Sequence, residues 1–265
     1  MIPWRLHLFE FNDSPRAPEF LRDAIIEALG RTLERGGILA GLVPHVVDFV
    51  RRAGTDRLLD IGAGSGAPAA IILDAMRAAE AELPHIVLTD LFPRPDTWQA
   101  LTTRHPDHLS FIADPVDATS IPEHVSRGHA RMIINVFHHF APPLARAVIR
   151  DAVQASSPML IAECFGRNPL GFAPFAPHGI PAVLGNPLYA RRHRGLRALF
   201  TWGLPVIPVI GTYDGLVSTL RCYTPDELRA MFVDAGAHDC SLDTTTFRFP
   251  YGGRGVVFTA VPPAG

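Results

Sequence analysis

The stretch Leu58-Leu59-Asp60-Ile61-Gly62-Ala63-Gly64-Ser65-Gly66-Ala67 constrains this chain more than any other. It reads as an apolar strand running into a turn where three alternating glycines let the backbone bend sharply. Bare N–H groups can then approach a ligand that any Cβ would push away. The helix that starts behind the turn favours a carboxylate or a phosphate. Such a turn suits a nucleotide-like ligand. Its spacing also satisfies the dinucleotide fingerprint with Ala67 in the last place, so a nicotinamide or flavin cofactor stays open on the glycines alone. Asp60 weighs the other way. Two residues ahead of the first glycine, its carboxylate repels a pyrophosphate and suits an ammonium group.

Around this turn the pattern is regular. From Ser14 to about Arg35, Phe20, Leu21, Ile25, Ile26, Leu29 and Leu33 recur at helical spacing, and Ser14, Pro15 and Pro18 mark the start. A second helix is expected from about Ile38 to Arg52. Strands are expected at 57–61, 85–90, 109–113, 130–136 and 158–164, alternating with helices at about 66–80, 95–104 and 142–155. That alternation predicts an α/β fold with a parallel, doubly wound sheet covered on both faces. Ligands in such sheets bind beyond the carboxyl ends of the strands, where strand order reverses. The rhythm breaks from Phe165 to Gly211, which reads as a helical insertion lidding a pocket or serving as a dimer surface. Its basic stretch, from Tyr189 through Arg191 and Arg192 to Phe200, reads equally as a solvated helix face. Thr224-Pro225-Asp226-Glu227 is a strong helix start. Extended segments at about 239–249 and 254–261 bring the expected strands to seven, with residues 1–53 as a helical cap and 54–265 as the main domain.

Residues at the strand ends carry the chemistry. Asp90 closes Ile86-Val87-Leu88-Thr89-Asp90-Leu91, 24 residues after Gly66, where a carboxylate can accept both hydroxyl hydrogens of a ribose. Together with the segments that follow it, Leu58 to Gly66 resembles motif I of the class I S-adenosylmethionine-dependent methyltransferases, a resemblance spanning about Arg57 to Val261. It implies a mostly parallel seven-stranded sheet ending in an antiparallel hairpin, and S-adenosylmethionine as cofactor. Asp60, Gly62, Ala63 and Gly64 would hold the methionine end, Asp90 the ribose, and Leu91 would pack on the adenine. Val116-Asp117-Ala118-Thr119 resembles motif III, placing Asp117 and the backbone of Ala118 at the adenine edge, with Asp114 a competing acid in the same loop. Arg131 to Phe140 resembles motif IV and the His-His segment after it, although the family more often begins this strand with an Asp where Ala130 and Arg131 stand here. Asn135 would touch the methionine end, and Phe137 would flank the sulfonium through its ring face. His138 or His139 is the candidate general base. Glu163, and Asp214 in what reads as a Tyr213-Asp214-Gly215 turn, rank below them as groups that orient an acceptor.

Bulk properties narrow the partners. A net charge of −2 argues against a broad footprint for nucleic acid or an anionic membrane. Cys164, Cys222 and Cys240 have no metal-ligand spacing and cannot close a disulfide framework, which fits a reducing cytoplasm, and the histidines form no metal site. Met1 to Phe11 holds Arg5 and Glu10 within a short apolar run and does not read as a signal peptide. No stretch is long and apolar enough to span a membrane. The expectation is methyl transfer to a small organic acceptor, at oxygen or carbon rather than nitrogen, by a protein that could form a homodimer. Two rivals remain: a member of the fold that binds the cofactor without methylating, such as a cyclase or binding protein, and an NAD(P)-dependent oxidoreductase.

Overall fold

The computed structural model describes residues 4–14, 16–190 and 192–263. Pro15, expected at a helix start, and Arg191, expected in the basic stretch, lie outside them, as do the first three residues of the Met1 to Phe11 run. Two helices, α1 (Glu19–Arg35) and α2 (Val43–Ala53), precede the sheet. The second starts later than its apolar pattern suggests, because a 3-10 turn at Ala40–Leu42 leads into it. It ends at Gly54, whose φ of +66° is the left-handed stop that glycine makes without strain.

Strands β1 (Arg57–Ile61), β2 (His85–Thr89), β3 (Leu109–Phe111), β4 (Ala130–Ile134) and β5 (Met159–Glu163) alternate with α3 (Ala67–Ala78), α4 (Pro95–Arg104), the short α5 (Glu123–Ser126) and α6 (Pro142–Gln154). All five pair in parallel. The hairpin β6 (Ser241–Phe249) and β7 (Gly253–Val261) completes the sheet, with β7 antiparallel to β5. The order is β3-β2-β1-β4-β5-β7-β6, so the chain reverses direction across the sheet between β1 and β4. Neighbouring residues of one strand serve opposite layers. Leu58 packs with Phe49, Ile72 and Met132, whereas Leu59 packs with Ile133, Val148 and Phe258. Burial on both faces explains why β4 and β5 are apolar almost throughout and show no alternation.

Two expectations about extent are corrected. Strand β4 stops at Ile134, not at 136, because Asn135, whose N–H still donates to the Ala162 carbonyl at 2.7 Å in line with the ladder, adopts a φ of +57° that turns the chain out into a 3-10 turn at Phe137–His139. Asn tolerates that conformation better than most residues. The helical insertion does not end near Gly211. It continues from a 3-10 segment at Pro169–Phe175 through α7 (Ala176–Leu184), α8 (Asn186–Tyr189) and α9 (Arg194–Ala198) into the long α10 (Val206–Arg221). Tyr213, Asp214 and Gly215 therefore lie inside a helix and form no turn. Helix α11 (Pro225–Asp234) carries the expected capping box, with Thr224 and Glu227 each bonded to the other's backbone N–H.

Candidate functional site

The glycine turn is shaped by packing and by internal hydrogen bonds. A Cβ on Gly66, which sits at φ +73° ahead of α3, would lie 2.9 Å from methyl groups of both Leu88 and Leu101. The N–H of Gly64 donates to Asp90 Oδ2 at 2.8 Å, that of Gly66 to the Ala63 carbonyl at 2.7 Å and that of Ala63 to the Thr89 carbonyl at 2.9 Å. These three donors are spent within the protein, so the expectation that the turn meets a ligand with its bare N–H groups does not hold for them. Trp98, which no motif pointed to, is fully buried and donates its indole N–H to the Gly64 carbonyl at 3.0 Å. A tryptophan at helical spacing carries no sign of that role in the sequence.

Asp60 is buried at the end of β1, and its Oδ2 has no hydrogen-bond partner. Burial, together with the nearby Asp90 charge, pushes its carboxyl up to about 8. Half-buried Asp90 accepts from the Gly64 N–H on one oxygen and from the Phe92 N–H on the other, both at 2.8 Å. These bonds fix the plane of the carboxylate and leave each oxygen a further lone pair. Leu91 and Phe92 are both exposed beside it, and Phe92 is a second apolar surface that sequence reading missed. In the loop after β3, Asp117 turns its Oδ1 onto the N–H and hydroxyl of Thr119, at 2.8 and 2.7 Å, with Ala118 half-buried next to it and Asp114 exposed. One Asp117 oxygen is thus tied up as a loop cap.

Across the sheet switch a cavity of about 340 Å³ opens under α1 and the insertion. Asn135, His138 and His139 line it at the strand ends, Phe165, Phe172 and Phe175 along one wall. Gly62, Gly64, Asp90 and Asp117 do not line it, so the glycine turn and this chamber are separate parts of the strand-end region. The Asn135 side-chain oxygen accepts the Cys164 N–H at 3.2 Å, clamping the ends of β4 and β5 together. Phe137 was expected to flank a sulfonium. It is buried in the opposite layer instead, edge-on to Phe140 and Tyr223, because the 3-10 turn rotates it away from the chamber.

The two histidines face different carboxylates. Glu163, at the end of β5, accepts both the backbone N–H of His138 at 2.9 Å and its Nδ1–H at 2.8 Å. Both side chains are buried. The carboxylate selects the tautomer and leaves Nε2 as the imidazole's open nitrogen. His139 Nδ1 lies 2.8 Å from Asp13 and 3.4 Å from Glu10. Those two acids come from a segment, residues 5–13, strapped across the chamber. Arg5 donates to the carbonyls of His138 and Phe140 at 2.8 and 3.0 Å, and Arg221 holds Asp13 and the Leu8 carbonyl. Asp214 caps the N–H groups of Phe11 and Asn12 at 2.9 and 3.0 Å, so this acid anchors the strap. Glu10 is buried against Ser218, and burial pushes its carboxyl up to about 7. Its one sequence signal was a carboxylate inside an apolar run. Glu10, His138 and His139 offer donor atoms within 4.8 Å of one another, a proximity that residue spacing could not reveal.

No protein-family model and no curated protein matches this sequence. Solved structures do. A Nostoc punctiforme protein described as an O-methyltransferase superposes with a TM-score of 0.53 at 15% identity, covering 97% of this chain and 64% of its own. The plantazolicin methyltransferase BamL, in complex with a triazolic desmethylPZN analog and SAH, gives 0.53 at 12% identity, covering 92% and 98%. At these identities the likeness establishes the fold: the chain has the class I methyltransferase architecture, including the antiparallel last strand that ordinary dinucleotide-binding domains lack.

Proposed function

We propose that this chain binds S-adenosylmethionine in the crevice after β1 and β2 and transfers its methyl group to a small organic acceptor, at oxygen or carbon, held in the chamber under the insertion. The observation that carries the reading is the partnerless Asp60 oxygen. A buried carboxylate without a donor waits for a cation, and the ammonium group of a methionine moiety satisfies it where a pyrophosphate would be repelled. Asp90 fits the ribose diol, Leu91 and Phe92 offer apolar surface to the adenine, and Asp117 with Ala118 stands at its edge.

The cofactor, when bound, supplies a carbon already activated by the adjacent sulfonium. The protein's own work is alignment and exclusion of water. Asn135, in the chamber lining at the strand ends, fixes the β4–β5 backbone beside which acceptor and methyl donor would meet. The aromatic wall orients an apolar acceptor. His138, with Nδ1–H bound to Glu163, takes the acceptor's proton on Nε2, and Glu163 stabilises the imidazolium that forms. His139, paired to Asp13, packs tilted against His138 with ring centroids 4.3 Å apart and shapes the same wall. Incubation with methyl-labelled cofactor and a panel of phenolic and enolic acceptors tests this. Label recovered in an acceptor product supports it, and cofactor binding without transfer to any of them favours a non-methylating role.

A further inference from the structure

Whole-chain charge hides an asymmetry. Residues 164–213 contain five arginines and neither Asp nor Glu, leaving the rest of the chain with 19 cationic against 26 acidic side chains. Arg167 and Arg197 in that segment are buried against Glu227 and Glu27, whereas Arg192 and Arg194 are exposed. Beside its buried Phe165, Phe175 and Ile207, the same segment exposes several large apolar side chains. Ile180, Leu184 and Leu188 recur every fourth residue along α7 and α8, and Leu199, Trp202 and Leu204 follow between α9 and α10. Trp202 joins the two groups by donating its indole N–H to the Leu184 carbonyl at 2.9 Å. Ile180 and Leu184 also line the chamber while remaining 58% and 44% exposed, so its mouth opens through this apolar surface.

We propose that the helical insertion is a membrane-docking face, with its apolar side chains seated at the headgroup boundary of an anionic bilayer and Arg192 and Arg194 on lipid phosphates. Charge complementarity selects this occupant: a segment that has arginines and neither Asp nor Glu and that exposes Leu, Ile and Trp has the composition of interfacial helices. The face lies on the bilayer and does not cross it. No single helix among the described residues is long and apolar enough to span, and the bent pair Arg194–Gly203 and Val206–Arg221 buries Asp214 and Arg221 against the strap. In this orientation the chamber mouth faces lipid. Under the methyl-transfer reading, on which this clause alone rests, the acceptor is then a lipophilic molecule that partitions into bilayers.

The full chain is sedimented with vesicles of phosphatidylcholine alone and of phosphatidylcholine with phosphatidylglycerol, in the absence of cofactor. Binding to the anionic vesicles, with quenching of tryptophan emission by brominated lipid, is expected. The double variant Arg192→Glu/Arg194→Glu, checked for an unchanged melting curve, is expected to bind at least about tenfold more weakly. Failure to sediment with either vesicle, binding indifferent to phosphatidylglycerol, or a stable dimer that vesicles do not dissociate overturns the proposal. Cofactor affinity, measured separately by calorimetry, reports on the methyl-transfer reading and is untouched by these outcomes.

Discussion

Replacing Asp60 by Asn tests the cofactor crevice at its most distinctive atom. With its carboxyl pushed from an ordinary 3.8 up to about 8 by burial and Asp90, the free protein carries this group about nine-tenths protonated at pH 7. A cation arriving beside Oδ2 favours the ionised form, so binding of S-adenosylmethionine should release close to one proton. Calorimetry in buffers of different ionisation enthalpy counts that proton directly, and Asp60→Asn should abolish the release and weaken binding. The same shift has a consequence for stability. Because the folded group holds its proton more tightly than the unfolded one, its contribution is whole below about pH 4. It is lost progressively as pH rises to about 8, amounting to roughly 4 kcal/mol of lost stability at pH 7. Asp60→Asn should therefore stabilise the cofactor-free protein at pH 7 by a few kcal/mol in urea unfolding, and by less at pH 5. Equal proton counts for the two proteins, or a less stable Asn variant at pH 7, would show that Asp60 is not an acid waiting for a cation.

Three further outcomes are expected. Asp90→Ala should weaken cofactor binding at least tenfold, about 1.4 kcal/mol, by calorimetry; unchanged affinity refutes its assignment to the ribose. Glu163→Gln should lower turnover on a phenolic acceptor by about a hundredfold with cofactor affinity intact, since the carboxylate orients the imidazole and fixes its tautomer; an equal loss in both would mean that Glu163 holds the strand ends and not the chemistry. Trp98→Phe removes one buried donor from the Gly64 carbonyl and should cost about 1 kcal/mol of stability by urea unfolding, and a variant as stable as the parent would remove the indole from the account of the turn.

What could be read in advance followed from local periodicity. The five parallel strands, the capping box at Thr224 and the terminal hairpin are all set by nearby residues, and their spans were legible from apolar runs and turn signals. The positions of Asp60 within the end of β1 and of Asp90 just past β2 were legible because the apolar runs fix where those strands end. Phe137 was misplaced because a 3-10 turn, set by the positive φ of Asn135, rotates successive residues by an angle that no strand pattern predicts. The Tyr213-Asp214-Gly215 segment was misread because Asp-Gly is turn chemistry in isolation, while the surrounding apolar spacing carries a 16-residue helix through it. The partnership of Glu10, Asp13 and His139 joins positions more than a hundred residues apart, and pairings of that kind leave no periodic trace.

The strap has an implication for how the molecule is completed. Residues 5–13 find their partners at 138–140 and 214–221, so the strap has its full set of anchors only when segments more than a hundred residues away along the chain are in place. Strands β1 to β5 pair without it, but the chamber gains the Glu10 carboxylate in its lining only when those distant stretches meet.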